Sequence, residues 1–561
     1  MPTLNWIGKD AVVNHHLEVP FRLLKDVPEL GSGDPGSGNL IVQGDNLEAL
    51  KALLPYYAGQ VKCIYIDPPY NTGNEAWAYN DNVNSPLIRD WLGKVVGKEG
   101  ETLDRHDRWL CMMYPRLALL RQLLSEDGIL LISIDENEIS NLQLLCDEIF
   151  GFNNRFANIV VRNNPRGRRF GTELAVEHEY LVAYCKKLDS FHAGLMPLNN
   201  DQLREYRHQD EDGSRYRLLG LRKRGALSRR EDRPNLHFPL YVDPLNSSVH
   251  LEPATSRVEV IPKLSDGADS VWRWSKKKIT SEGHKLLARE VTRRETGLVE
   301  WDVFEKNYLS GNDGEDAGRL FPSIWQDNDV NNEVGKERLR DLFAGKAIFD
   351  YPKSVGLVMN SLLLGGNKQC LILDSFGGSG TTGDAVLQLN TRDDGDRHFI
   401  LIEMEPNIAR EVTAERVRRV AEGYTNAKGE KIEGLGGGFR YCELGEPLFD
   451  EHGKIRDSVT FGQLARHVYF TETGEPLPRE RVQNTPLLGV CRGVGIYLLY
   501  NGILGDKSAN GGNVLTRALL AKLPPFDGPK VIYCAGCLLG RDKLRAERIV
   551  VRQTPYEIKV S

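Results

Sequence analysis

Long hydrophobic runs are missing from this 561-residue chain. No apolar stretch reaches the roughly 18 residues that a membrane-crossing helix needs, which argues against a spanning segment. Met1 to Lys25 lacks the charged-then-apolar layout of a secretory leader, so a cytoplasmic location is expected. The nine cysteines are scattered and odd in number, against a disulfide framework. Their one close pair, Cys534-Ala535-Gly536-Cys537, has neither a second pair nor nearby histidines; it makes half a zinc site at most, and no metal is expected. A Gly-x-x-x-x-Gly-Lys-Ser/Thr sequence is also missing, which lowers the odds of an ATP-hydrolysing P-loop. There is no internal repeat. An overall positive charge is missing too: 72 Lys and Arg against 78 Asp and Glu leave a net charge of −6.

What remains is an ordinary globular composition, 40% hydrophobic and 27% charged, long enough for two to four domains. Its most informative stretch is Asp67-Pro68-Pro69-Tyr70, directly after the apolar run Val61 to Ile66. An acid, two rigid carbonyls and an aromatic ring stand at the carboxyl end of a buried strand, where open α/β sheets bind ligands. Neither proline donates a backbone hydrogen bond, so the Pro68 carbonyl is available to accept one. Two acceptors and a stacking ring suit an exocyclic aromatic amine such as adenine N6, presented by a base that has left the duplex stack. The plainer reading is a tight turn, which Asp-Pro and Pro-Pro favour.

Far downstream, Cys370-Leu371-Ile372-Leu373-Asp374 runs into Ser375-Phe376-Gly377-Gly378-Ser379-Gly380-Thr381-Thr382 and then a helical pattern. A strand, a glycine-rich turn and a helix N-terminus place backbone N–H groups against a ligand. A second strand, Phe399 to Ile402, ends in Glu403, 23 residues after Gly380. An acid that binds ribose hydroxyls falls at about this spacing in a Rossmann-like unit.

The chain order is that of an α/β protein. Gly31 to Gly38 reads as a linker behind an N-terminal arm (1–38). Leu40-Ile41-Val42, the helical stretch Leu47 to Leu54, the strand to Asp67, the helix Trp109 to Leu124 and the strand Ile129 to Ile134 follow (39–155). Asn71 to Arg105 has little periodicity and is expected to cover the site or touch a ligand. From 156 to 350 the alternation is lost, with Trp272, Trp274 and Trp325 expected to pack that region. It resumes over 351–430. The glycine-rich run Gly434 to Gly438 then precedes a small C-terminal α/β domain (431–561).

Positive charge is concentrated in the irregular region, where Arg155 to Asn235 holds 17 Lys and Arg against 11 Asp and Glu. Arg166, Arg168 and Arg169, and Arg222, Lys223 and Arg224, interleave with glycine and aromatics, a mixture suited to phosphate contacts. A solvated charged face is the alternative.

Asp-Pro-Pro-Tyr ahead of Asp-Ser-Phe-Gly-Gly-Ser-Gly-Thr-Thr resembles the β-class amino-methyltransferases of DNA. Gly44 to Leu47, Asn71-Thr72-Gly73, Asp127 to Asp135, Arg222 to Pro234, Phe349 to Ser354 and Val551 to Ile558 continue the likeness, which is nearest to the modification subunits of type III restriction-modification systems. The resemblance implies a Rossmann-like methyltransferase with a doubly wound mixed sheet, a target-recognition insertion at 156–350 and S-adenosylmethionine as cofactor. Asp67 and the Pro68 carbonyl would hold the target amine, with Pro69 stiffening the turn and Tyr70 stacked on the base. Asp67, near the ordinary carboxylate pKa of about 4, need not be a true general base. Asp374, Phe376, Gly378, Ser379, Gly380 and Thr381 would line the cofactor, with Glu403 on its ribose, Asp45 near its adenine and Lys353 at its methionine carboxylate. Around Lys353 the sequence departs from the His-Pro-Thr pattern of solitary relatives, and a surface lysine opening a helix is the alternative. The expected reaction is methylation of adenine N6, because Asp rather than Ser opens the motif. Cytosine-N4 methylation and a recognition subunit with incidental catalysis are the alternatives. Double-stranded DNA, a homodimer and a restriction subunit with helicase and nuclease activities are the expected partners.

Overall fold

Ten strands make the central sheet in a computed structural model, which describes residues 4–72, 105–170, 174–264, 266–292, 297–309, 318–477, 485–500 and 513–554. In chain order they are β1 (Arg22–Asp26), β2 (Leu40–Gln43), β3 (Val61–Ile66), β4 (Leu124–Ile134), β5 (Arg155–Val161), β6 (Glu179–Cys185), β7 (Ile324–Trp325), β8 (Leu371–Asp374), β9 (His398–Glu403) and β10 (Arg440–Pro447). Across the sheet the order is β1-β10-β2-β9-β8-β3-β4-β6-β5-β7. The six strands from β10 to β4 are mutually parallel. β6 runs against both its neighbours, and β1 runs against β10, so the sheet is mixed as expected.

Both faces of the centre are covered, which is why these strands read as continuous apolar runs. Side chains alternate between the faces. Ile64 and Ile66 point with Leu130, Ile132, Leu373 and Ile400 into a core closed by helices α1 (Asn46–Tyr57), α2 (Arg105–Leu123) and α3 (Ile139–Phe150). Cys63 and Tyr65 point the other way, with Ile129, Leu131, Ile372 and Phe399, onto α4 (Val355–Gly365) and α5 (Thr381–Asp393). This is the doubly wound arrangement. No helix among the described residues is long and apolar enough to cross a membrane.

The domain boundaries differ from those expected. The chain divides into two compact units, Leu195–Leu320 and the rest. The irregular region was expected to span 156–350, but β5, β6 and β7 belong to the central sheet. The physical reason is the run Tyr180 to Cys185, whose side chains are nearly all buried and extend the sheet beyond β4. Residues 431–561 do not form a separate unit either. Arg440–Pro447 enters the central sheet as β10, and the helix Phe461–Thr473 buries Leu464 and Val468 in the core that α1 closes. A four-stranded sheet of Leu487–Cys491, Val494–Leu498, Lys530–Cys534 and Ile549–Gln553 follows. The N-terminal arm is also packed, through Trp6, Val12, Val19 and Phe21.

The smaller unit has its own core. An antiparallel sheet pairs His208–Gln209, Arg215–Gly220, Val299–Tyr308 and Leu286–Thr292 in that order, beside a three-stranded sheet around Leu240–Val242. Trp272 and Trp274 are buried in it as expected, with the Trp272 indole donating to the Phe238 carbonyl at 2.8 Å. Gly318 pairs with Pro197 and Arg319 with Met196, so the unit's two ends lie together, as an insertion requires. A fragment of residues 195–320 is therefore expected to fold alone and melt in one cooperative transition in calorimetry; a non-cooperative profile would show that it borrows its stability from the larger unit.

Candidate active site

Sheet order decides where a ligand can sit. From β3 the chain proceeds through α2 to β4 on one side; from β8 it proceeds through α5 to β9 on the other. β3 and β8 are adjacent and parallel, Ile372 opposite Cys63 and Leu373 opposite Ile64. Their carboxyl ends flank the point where the order reverses, the crevice in which open α/β sheets bind ligands. Asp67-Pro68-Pro69-Tyr70 leaves one strand there, and Ser375 to Gly380 leaves the other.

The first loop is held in a fixed shape. The Trp109 indole donates to the Pro69 carbonyl at 2.7 Å, while among the described residues no group donates to the buried Pro68 carbonyl. Asn71 ends the loop with φ at 58°, a left-handed conformation that asparagine tolerates. Its amide donates to the Arg105 carbonyl at 3.0 Å and to the carboxylate of fully buried Glu138, which also meets His106 Nδ1 at 2.7 Å. The segment 73–104, expected to cover the site, lies outside the described residues.

Charges gather behind the loop. Lys353 Nζ donates to both oxygens of Glu179, at 2.9 and 2.8 Å, and to the Tyr70 hydroxyl. It lies 3.3 Å from Asp67 Oδ1, at an angle that leaves this buried oxygen without a hydrogen bond. The Tyr70 hydroxyl donates to Glu179 Oε2 at 3.0 Å. Burial pushes the Asp67 carboxyl up to about 6, and Glu179 adds to this, while Lys353 opposes it. The expectation of an ordinary carboxylate is thereby corrected. Burial alone would lower the Lys353 ammonium, but Asp67 and Glu179 outweigh it and hold the group above its usual range.

The second loop is built on glycine and a buried ion pair. Gly378 and Gly380 have φ of 48° and 75°, and a side chain at Gly380 would lie 2.9 Å from the Thr413 carbonyl. Glu403 accepts from the Gly378 N–H at 2.8 Å and the Glu405 N–H at 2.9 Å, so it shapes the loop as well as facing it. Asp374 accepts from the Phe376 N–H at 3.0 Å and the Thr382 hydroxyl at 2.6 Å, and burial pushes it up to about 7. Phe376 is half-buried, and the buried hydroxyl of Ser375 has no hydrogen-bond partner. Ser379 and Thr381 were expected to face the crevice. Instead Arg416 Nη1 donates to their hydroxyls at 3.1 and 2.8 Å, which turns both side chains inward. Arg416 is itself fully buried against Asp384 at 3.0 Å.

Three further expectations meet a different geometry. Lys353 was expected on the cofactor's carboxylate, yet its ammonium is bonded into the Asp67, Tyr70 and Glu179 cluster because β6 brings Glu179 beside it. Asp45 caps α1, accepting from Leu47 and Glu48 N–H at 2.9 and 3.1 Å, and lies 3.3 Å from Arg116. The basic residues do not share one unit. Arg166, exposed in the turn after β5, and the strand Arg168–Phe170 belong to the larger unit, whereas Arg222, Lys223 and Arg224 belong to the smaller one.

In the smaller unit Arg222 donates to the Lys263 carbonyl, Lys223 N–H to Val271, and Arg224 is exposed. Five residues beyond Val271 a helix opens on Lys276, Lys277 and Lys278, which sequence reasoning missed. Glu179, Glu138 and Arg416 were missed as well. For Glu179 a signal existed, since an acid at the head of an apolar strand is buried only when paired.

Residues 61–415 match the model of the N6/N4 methyltransferase family, described as DNA methylase. The chain belongs to this family. It is similar to the Mod subunit of the type III restriction-modification enzyme EcoPI of Escherichia phage P1, 30% identical over 84% of this chain and 74% of that one. The type II methyltransferase M.KpnI of Klebsiella pneumoniae is 32% identical over 77% of this chain and 98% of its own length. The EcoP15I Mod subunit of Escherichia coli is 29% identical over 75% of this chain and 66% of its own.

Within this methylase the Arg416–Asp384 pair is the anchor of the glycine-rich loop. Removing one partner of a buried pair strands the other charge, so Arg416→Leu should lower the unfolding free energy by about 3 kcal/mol in denaturant titration. A loss within about 0.5 kcal/mol, the size of a surface change, would mean that Arg338, 3.3 Å from Asp384, suffices alone.

Proposed function

We propose that this DNA methylase transfers a methyl group from S-adenosylmethionine to N6 of a flipped adenine at a specific site, as the modification subunit of a type III restriction-modification system. One observation carries the reading: two loops from distant parts of the chain meet at the switch point, one offering amine acceptors and the other a glycine-rich turn. The buried Asp67 Oδ1 and Ser375 hydroxyl, both without hydrogen-bond partners, fit a polar ligand there. The glycine-rich loop, Phe376, Asp374 and Glu403 would hold S-adenosylmethionine, which supplies an electrophilic methyl when bound.

The chain's own residues then perform a positioning task. Asp67 and the Pro68 carbonyl accept the two N–H groups of the target amine, and Tyr70 stacks on the base. The amine nitrogen lined up by these acceptors would take the methyl, the electron pair of the broken carbon–sulfur bond leaving with the donor's sulfur. The nitrogen becomes cationic and sheds its surplus proton. A carboxylate at about 6 takes this proton more readily than an ordinary one, and passes it to solvent. DNA phosphates would be met by Arg166, Arg168 and Arg169 and, in the smaller unit, by Arg222, Lys223, Arg224 and Lys276 to Lys278. A homodimer, with one copy reading the site and the other modifying it, and a restriction subunit as partner complete the proposal.

Asp67→Ala should reduce methyl transfer by about 10²-fold or more while the cofactor dissociation constant stays within about threefold in calorimetry; equal loss of both would overturn the division of roles. Asp67 must be ionised to accept, so single-turnover rates should rise with pH through about 6 and then level. Asp67→Asn should lack that acidic limb. Phe376→Ala should weaken cofactor binding, and wild-type affinity would count against the loop. Sequencing of DNA from cells expressing the chain alone would identify the modified base, and cytosine in place of adenine would refute the N6 assignment.

A further inference from the structure

Glu179 is 1% exposed, lies far in sequence from every motif of the site, and shares its charge with Lys353. Lys353 stands just before Ser354, whose hydroxyl caps α4 by accepting from Leu357 N–H. Its carbonyl accepts from the Thr381 hydroxyl at 3.3 Å, which ties its backbone to the glycine-rich loop. Its side chain goes to Glu179, the Tyr70 hydroxyl and Asp67. Glu179 in turn accepts from Asn163 at 2.6 Å and from Tyr70 at 3.0 Å. The Tyr70 hydroxyl is thus gripped by a donor and an acceptor at once, which fixes the direction of its ring. A buried ion pair is an inefficient way to stabilise a fold, because apolar residues of the same volume usually serve as well. Here two of the three side-chain hydrogen bonds that leave the pair go to Tyr70, in the loop that ends β3.

We infer that Glu179 and Lys353 are positioning residues for methyl transfer. The pair fixes the Tyr70 ring and the Asp67 carboxylate against the target amine, and Lys353 serves this loop rather than the carboxylate of the methyl donor. The inference rests on the methyl-transfer reading above. The groups acting on Asp67 are Lys353, Glu179 and Tyr70, and Asp67 in turn acts on Tyr65 and Asp374; Asp135 acts on Tyr70. Glu179 and Lys353 therefore push the Asp67 carboxyl in opposite directions, which gives a readout that a merely structural pair would not move.

The test uses full-length protein, labelled S-adenosylmethionine and an adenine-containing duplex, with single-turnover rates from pH 5 to 9 and cofactor affinity by calorimetry. Glu179→Gln should slow transfer about tenfold or more and move the acidic limb to lower pH. Lys353→Met should also slow transfer but move the limb to higher pH, and in both the cofactor dissociation constant should stay within about threefold. Lys353→Arg should recover part of the rate. If either single variant unfolds, the double variant Glu179→Gln/Lys353→Met, which removes both charges of the pair together, should be folded, slow and normal in cofactor affinity. Loss of cofactor affinity by about tenfold in Lys353→Met, or wild-type rate and pH profile in the double variant, would overturn the inference. Wild-type protein that methylates no adenine would refute the function itself, and is scored separately from the variants.

Discussion

The parallel pairing of Val61–Ile66 with Leu371–Asp374 is the constraint on which the rest of this molecule depends. The two strands are far apart in the chain, and each carries one loop of the site out of its carboxyl end. Neither loop makes a site alone. Asp67-Pro68-Pro69-Tyr70 offers acceptors and a ring with nothing to receive from, and the glycine-rich turn offers backbone N–H groups with no second reactant. Pairing succeeds because both strands are covered on both faces, so that exposing either would strand apolar side chains of two cores at once.

Around that pairing the two loops are held by different physics. The glycine-rich turn is fixed by backbone geometry and by Arg416, which binds inward-facing hydroxyls and a buried aspartate. The turn's outer surface is left as backbone, the kind of surface that lets a ligand approach closely. The Asp67 loop is fixed by side chains: the Trp109 indole on Pro69, Glu138 on Asn71, and Glu179 with Lys353 on Tyr70. These contacts take up the Pro69 carbonyl and the Tyr70 hydroxyl, while Asp67 Oδ1 is left without a hydrogen bond.

The legibility of the fold in the sequence follows the same division. Strands covered on both faces appear as unbroken apolar runs, so β3, β8 and β9 are readable, as are the loops at their ends. The insertion boundary is not readable in the same way, because β5 and β7 at the sheet's edge are only partly buried and carry polar residues among the apolar ones. Directions of side chains are also hidden. Ser379 and Thr381 belong to a ligand-binding pattern, yet which way their hydroxyls point depends on Arg416, on another helix. Asp45 sits two residues after β2, where an acid facing a ligand and an acid capping a helix look identical. The Lys353–Glu179 contact joins residues 174 positions apart and has no local signature at all.

The electrostatics of the crevice then follow from composition and burial together. Asp67, Asp374, Glu179 and Glu403 lie at or just behind it, and Lys353 is bonded to Glu179 beside Asp67. Carboxylates crowded in a place of low polarity resist ionisation, which is why Asp67 and Asp374 are held up to about 6 and about 7. A ligand that brings a cationic centre would ease the ionisation of both acids at the moment Asp67 must act as an acceptor. The acid-rich crevice thereby suits a positively charged reactant, through residues whose burial the two-sided sheet enforces.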